Sequence, residues 1–128
     1  MIVLDNSALV EALAGAAPSP ELLADLTGGE LHVPHLLDYE FQSALRGLLM
    51  GGRITRERAE GALLVKASLP FVRYPESVTG PRAWDLRDNL NPYDASYVAL
   101  AELLDCPLAT TDAKLERHVR TVAVRLYR

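Results

Sequence analysis

Asp5, Glu40, Asp94 and Asp112 are the residues of this 128-residue chain whose type and placement suit divalent-metal chemistry. Asp5 ends the apolar run Met1 to Leu4, and Asp112 closes the stretch Pro107 to Thr111, so each is expected just beyond a buried strand. Glu40 and Asp94 lie inside helical patterns, beside the apolar stripe. If the four converge, repulsion governs the site. Two unit charges about 4 Å apart cost roughly 4 kcal/mol at an effective dielectric of about 20. A bound cation or raised pKa values must then compensate.

Helix capping offers a simpler account of three of the four. Asp5 and Asp112 each precede a helical pattern, and Asp94 falls in the first turn after Asn91-Pro92, where a carboxylate suits the macrodipole. Glu40 escapes that account. Leu36, Leu37 and Ala44 stand three or four residues from it, which places it on or beside the apolar face, and the next basic side chain is Arg46. A carboxylate there needs a cation or strong donors. Asp25, Asp38, Glu57, Glu60, Glu102 and Asp105 read as solvated. His32, His35, His118 and the single Cys106 lack zinc-type spacing, and no glycine-rich phosphate loop is present. Ser7, two residues after Asp5, is an N-cap, a donor to the carboxylate or a water positioner.

The elements expected to position these groups alternate in type. Strands are predicted at Met1 to Leu4, Leu31 to Val33, Phe71 to Tyr74, Leu108 to Thr110 and Thr121 to Leu126. Helices are predicted at Ser7 to Leu13, Glu21 to Leu26 and Leu36 to Leu49, then after a Thr55 N-cap, from Ser77 or Thr79, at Pro92 to Leu104 with Asn91 as N-cap, and at Asp112 to His118. Gly15 to Pro20 is a loop. The alternation implies a single α/β domain over residues 1–128, with a central parallel sheet of about five strands flanked by helices on both faces. Ligands of such sheets collect beyond the carboxyl ends of the strands, where Asp5 and Asp112 belong.

Composition narrows the class. A 49% hydrophobic, 23% charged chain with mean hydropathy +0.06 is ordinary for a globular protein and needs no metal to fold. A lone cysteine excludes an internal disulfide, the start lacks a signal-peptide pattern, and no apolar segment approaches the ~20 residues of a membrane span, so a cytoplasmic setting is expected. Net charge −4 and pI near 5.3 argue against nucleic-acid binding through the overall field. Basic residues are nonetheless clustered, at Arg53, Arg56 and Arg58 and from Lys114 through Arg117 and Arg120 to Arg128.

Taken together, three segments resemble the PIN-domain ribonucleases, and among them the VapC-type toxins of toxin–antitoxin pairs. They are Ile2 to Leu9 (IVLDNSAL), Val33-Pro34 leading to Glu40, and Asn91 to Glu102 (NPYDASYVALAE), completed by Thr110 to Leu115 (TTDAKL). The likeness spans nearly the whole chain, and it is the order and spacing of the pieces that make it specific. It implies an acidic quartet of Asp5, Glu40, Asp94 and Asp112 that is both catalytic and metal-binding, supported by Ser7 and Thr110. Some relatives carry a further acidic or amide residue where this chain has Lys114, so a fifth ligand is not implied. The resemblance also implies one or two Mg2+ or Mn2+ ions, hydrolysis of an RNA phosphodiester in tRNA or ribosomal RNA, a homodimer, and inhibition by a VapB-type antitoxin in a heterotetramer or larger complex. Hard oxygen ligands suit those ions. Lys114, Arg117 and Arg120, close after Asp112, are then expected to guide RNA phosphates.

Three rivals compete with this reading. A haloacid-dehalogenase-like phosphohydrolase wants a second acidic residue two positions after the first aspartate, where this chain has Ser7. A catalytically inactive PIN-like partner-binding module would share every motif. Receiver domains place an aspartate after the third strand, and Phe71 to Pro75 offers none.

Overall fold

The computed structural model describes residues 1–128. Five strands form one sheet: β1 (Ile2–Leu4), β2 (Leu31–Pro34), β3 (Phe71–Tyr74), β4 (Leu108–Thr110) and β5 (Val124–Leu126). Their order is β3-β2-β1-β4-β5 and every neighbouring pair is parallel. Each residue of β1, β2 and β4 is buried. Successive strand residues face opposite sides, so helices cover both faces at the centre of the sheet. The edge strands β3 and β5 are only partly buried.

Seven helices complete the chain: α1 (Asn6–Ala14), α2 (Pro20–Thr27), α3 (Leu37–Met50), α4 (Arg56–Ser68), α5 (Glu76–Asp85), α6 (Pro92–Leu104) and α7 (Ala113–His118). Helix starts follow local chemistry. The side chains of Ser19, Thr55 and Asn91 accept from the backbone N–H of Leu22, Arg58 and Asp94, and Pro20 and Pro92 occupy first-turn positions where no N–H is needed. Helix α6 runs through the interior, with Ala95 to Ala101 all buried. It joins a core that includes Leu4, Leu9, Leu37, Phe41, Leu100 and Leu108.

Most boundaries fall within one residue of expectation, and the starts of α5 and β5 differ for identifiable reasons. Helix α5 begins at Glu76, with Pro75 in the N-cap position, rather than at Ser77 or Thr79, because a proline followed by an acidic residue already provides a good first turn. Strand β5 is confined to Val124–Leu126; Thr121 to Ala123 lies outside it, in the turn that aligns Val124 with Leu108. Strand order is what positions the site. The chain lays β2 and β3 on one side of β1, then crosses to place β4 on the other. The switch point therefore falls between β1 and β4.

Candidate active site

Asp5 leaves β1 and Asp112 follows β4, so the two flank the switch point. The backbone N–H of Asp5 donates to the Ala109 carbonyl at 2.9 Å, which ties the two strand ends together. Asp5 occupies the N-cap position of α1 with extended backbone, yet its side chain makes no capping hydrogen bond. It is instead buried, with 6% exposure, and its Oδ2 accepts from the Ser7 hydroxyl at 2.6 Å and the Thr110 hydroxyl at 2.8 Å. Each hydroxyl has one proton, so both are spent on Oδ2. Their lone pairs accept in turn from backbone: Ser7 Oγ from Thr111 N–H at 3.1 Å, and Thr110 Oγ1 from Asp112 N–H at 3.0 Å.

Glu40, in the first turns of α3, is half-buried, and its Oε1 accepts from the Tyr97 hydroxyl at 2.7 Å. No cation meets it. Tyr97 is the strong donor that Glu40's position required, and sequence reasoning did not single it out. The signal was available: Tyr97 stands three residues after Asp94 on α6, on the same face of that helix. Asp94 is half-buried, and because Asn91 supplies the cap of α6, its carboxylate is not needed for that task. Asp112 does cap. Its Oδ1 accepts from Lys114 N–H at 2.8 Å.

The four carboxylates act on one another electrostatically. Burial pushes Asp5 upward, opposed by the hydroxyls of Ser7 and Thr110, and the charge of Asp112 adds to the rise. Glu40 is raised by burial and then by Asp5 and Asp94, against the Tyr97 hydrogen bond. Asp94 is raised by burial and then by Asp5 and Asp112. Tyr97 is driven far upward by burial and by the Glu40 charge, so it remains a donor throughout the working range. None of the four is among the ion pairs of the molecule. Four other acids contrast with them. Asp38 pairs with Lys66 and Arg73, Asp25 with Arg125 and the Tyr127 hydroxyl, Glu60 with Arg56, and Glu102 with Arg82. All four were expected to be merely solvated; complementary charges on neighbouring elements make Asp25, Asp38 and Glu102 fastening points, while Glu60 pairs along its own exposed helix.

The donor set is all oxygen, carries several negative charges and lacks a protein cation, which fits a hard divalent ion. No three carboxylate, imidazole or thiol groups stand close enough to enclose an ion by themselves. Such spacing leaves coordination positions to water and phosphate, as Mg2+ prefers. A small cleft of about 190 Å3 opens at the site, lined by Asn91, Asp94, Asp112, Lys114 and His118 among others. Of the basic residues expected near RNA, Lys114 reaches this cleft. Arg117 is exposed outside its lining, and Arg120, two residues beyond α7, reaches back to it, donating to the Glu116 carbonyl at 3.2 Å.

Comparison with known proteins supplies the family and agrees with the fold. The PIN domain profile matches residues 2–120. Ribonuclease VapC9 of Mycobacterium tuberculosis (strain ATCC 25618 / H37Rv) is 44% identical over 115 residues, covering 90% of this chain and 88% of its own length. Ribonuclease VapC1 of the same strain is 43% identical over 121 residues, covering 88% and 86%. Among solved structures, PAE2754 from Pyrobaculum aerophilum superposes with TM-score 0.71 at 24% identity, covering 96% of this chain and 82% of that one. VapBC2 from Rickettsia felis, bound to a DNA fragment from their promoter, gives TM-score 0.69 at 14% identity with full coverage of both chains. At these identities the structural likenesses speak for the fold alone.

Proposed function

Because the chain belongs to the PIN-domain family, we propose that it is an endoribonuclease toxin of the VapC type, hydrolysing RNA phosphodiesters with Mg2+ or Mn2+ and neutralised by a VapB-type antitoxin. The observation that carries the reading is a set of four carboxylates, two of them following β1 and β4, that act on one another's charge and that no protein cation neutralises. Asp5, Glu40 and Asp94 would share the metal with water and substrate phosphate, with Asp112 acting directly or through water. A bound divalent cation supplies positive charge toward the phosphate oxygens and acidifies water.

The chain's own side chains do the rest. Ser7 and Thr110 hold the Asp5 carboxylate in one orientation through Oδ2, which leaves Oδ1 clear of both hydroxyls. Tyr97 fixes Glu40 in the same way. Preorganisation of this kind matters because misplacement of about 1 Å can cost 100-fold in rate. Lys114 lines the cleft with Asp94 and Asp112, where its ammonium can steer a phosphate past the carboxylates; Arg117 and Arg120 extend the basic approach. A basic side chain of the antitoxin would fit the same acidic cleft and exclude substrate. A homodimer, joined by antitoxin into a heterotetramer or larger complex in the cytoplasm, completes the proposal; no helix here is long and apolar enough to cross a membrane.

The test uses purified, antitoxin-free protein, structured tRNA and ribosomal RNA, and Mg2+ or Mn2+, comparing wild type with Asp5→Asn and Asp94→Asn. Cleavage that EDTA abolishes and that both variants lack is the expected result. Equal cleavage by all three proteins would overturn the mechanism, and no cleavage by wild type on any RNA would favour the inactive binding module.

A further inference from the structure

A second, larger concavity adjoins the acidic cleft. Its volume is about 600 Å3, within the roughly 300–1,000 Å3 of small-molecule sites, and it opens between the start of α3, helix α5 and the first turn of α6. Its wall includes Tyr74, Glu76, Trp84, Arg87, Leu90 and Tyr93. Leu90 lines this cavity and the acidic cleft alike, and consecutive residues face the two spaces: Tyr93 the cavity, Asp94 the cleft. Two large aromatic rings are left to solvent here, Trp84 at 67% exposure and Tyr93 at 60%. The Arg87 guanidinium lies over the Trp84 ring, its Cζ 4.7 Å from the centroid, and its Nη1 donates to the Trp84 carbonyl at 3.0 Å. No carboxylate pairs with Arg87.

We propose that this cavity receives an unstacked nucleobase of the RNA strand whose phosphate lies at the carboxylates, with Trp84 as stacking platform and Arg87 as phosphate contact. The inference rests on the RNA-cleaving reading of the neighbouring site and extends it to substrate selection. Three features favour a base over other occupants. Exposed aromatic faces beside an uncompensated guanidinium are what single-stranded nucleic acid uses, since every base has a π-face and is joined to a phosphate. The cavity and the cleft share Leu90 and are parted by residues 89–94, so a strand that crosses this short segment reaches both. Glu76 offers an acceptor for base N–H groups inside an otherwise largely apolar wall.

Trp84 is the only tryptophan of the chain, so its fluorescence reports on the cavity directly. Short single-stranded oligoribonucleotides are titrated into the full-length, antitoxin-free protein with Mg2+, alongside matched strands carrying abasic positions. Saturable quenching is expected, lost when one particular nucleotide is abasic. By anisotropy of a labelled strand, Trp84→Ala should weaken binding about 5- to 100-fold, Trp84→Phe much less, and Arg87→Gln should reduce the salt dependence. Because Trp84 is exposed, thermal melts should show both Trp84 variants folded. Binding without quenching, or Trp84→Ala binding as wild type, overturns the inference. So does sedimentation in which Trp84→Ala splits a dimer while RNA affinity stays unchanged, which would make the cavity an interface between copies. Quenching without cleavage would sustain the base site and remove the nuclease reading; cleavage without quenching would do the reverse.

Discussion

Thr110 Oγ1 donates to Asp5 Oδ2 and accepts from Asp112 N–H, so a single hydroxyl links two of the four carboxylate positions. Thr110 has no solvent exposure, and Thr110→Val would leave a part-buried amide and a buried carboxylate each short of a partner. The expected cost is about 1–3 kcal/mol of stability, read in urea melts, together with loss of RNA cleavage. Asp94→Asn should act in the opposite sense on stability. Asp94 is raised in the folded protein, so its favourable contribution is present below the unfolded carboxylate pKa, near 4, and is lost as pH rises through the higher folded value. At neutral pH, without metal, the charge is therefore a liability. Asparagine removes it while the Asn91 cap remains, and a gain of roughly 1 kcal/mol is expected, visible as a higher Tm that vanishes below pH 4. Added Mg2+ should raise the wild-type Tm more than that of the variant. Glu40 was the most legible of the four acids, because its place beside an apolar stripe already demanded a partner. That the partner is Tyr97 was not legible, since 57 residues separate them and only the packing of α6 against β1 and β2 brings Tyr97 within reach of Glu40.

Between elements, Asp38 is the clearest fastening. From the first turn of α3 its carboxylate takes Arg73 of β3 through both oxygens and Lys66 of α4, which hold it below the ordinary carboxylate range. A depressed group contributes stability that is present above its unfolded pKa and lost as pH falls through the folded one. Asp38→Asn should therefore destabilise by about 1 kcal/mol at pH 7, with the difference from wild type closing as the solution is acidified below about pH 4. Denaturant midpoints across that range check it, and a constant difference would show that the pairs contribute little. The sequence placed α6 at its observed limits because Asn91-Pro92 is a strong start signal and the apolar run ends at Leu104. It misplaced the start of α5 by weighing hydroxyl caps above the Pro75-Glu76 pair. At the last strand, apolar alternation over Thr121 to Leu126 overstated the length, since pairing with the short β4 limits how far β5 extends.

For the whole molecule, a net charge of −4 means that RNA must be met by a local field and not by the overall one. Replacing Lys114, Arg117 and Arg120 together by glutamine should weaken RNA binding and flatten its dependence on salt. Each lost phosphate contact should lower the slope of log K against log salt by about 0.7 for a single strand. An unchanged slope would remove these residues from the interface, and because Lys114 alone reaches the cleft, its single substitution should carry the largest effect on cleavage. The sequence by itself determined the alternation of strands and helices, the Thr55 and Asn91 caps that start α4 and α6, and the candidate acids, because periodicity, Asn-Pro starts and a misplaced Glu40 are local signals. Only the tertiary structure decided that Asp5 turns from capping to the hydroxyls of Ser7 and Thr110, that Tyr97 serves Glu40, and that an apolar cavity walled by Trp84 and Tyr93 opens beside the acids. The reason is physical. Hydrogen-bond partners across a parallel sheet are chosen by strand order and register, and the chain's crossing from β3 to β4 sets that order through packing between distant segments.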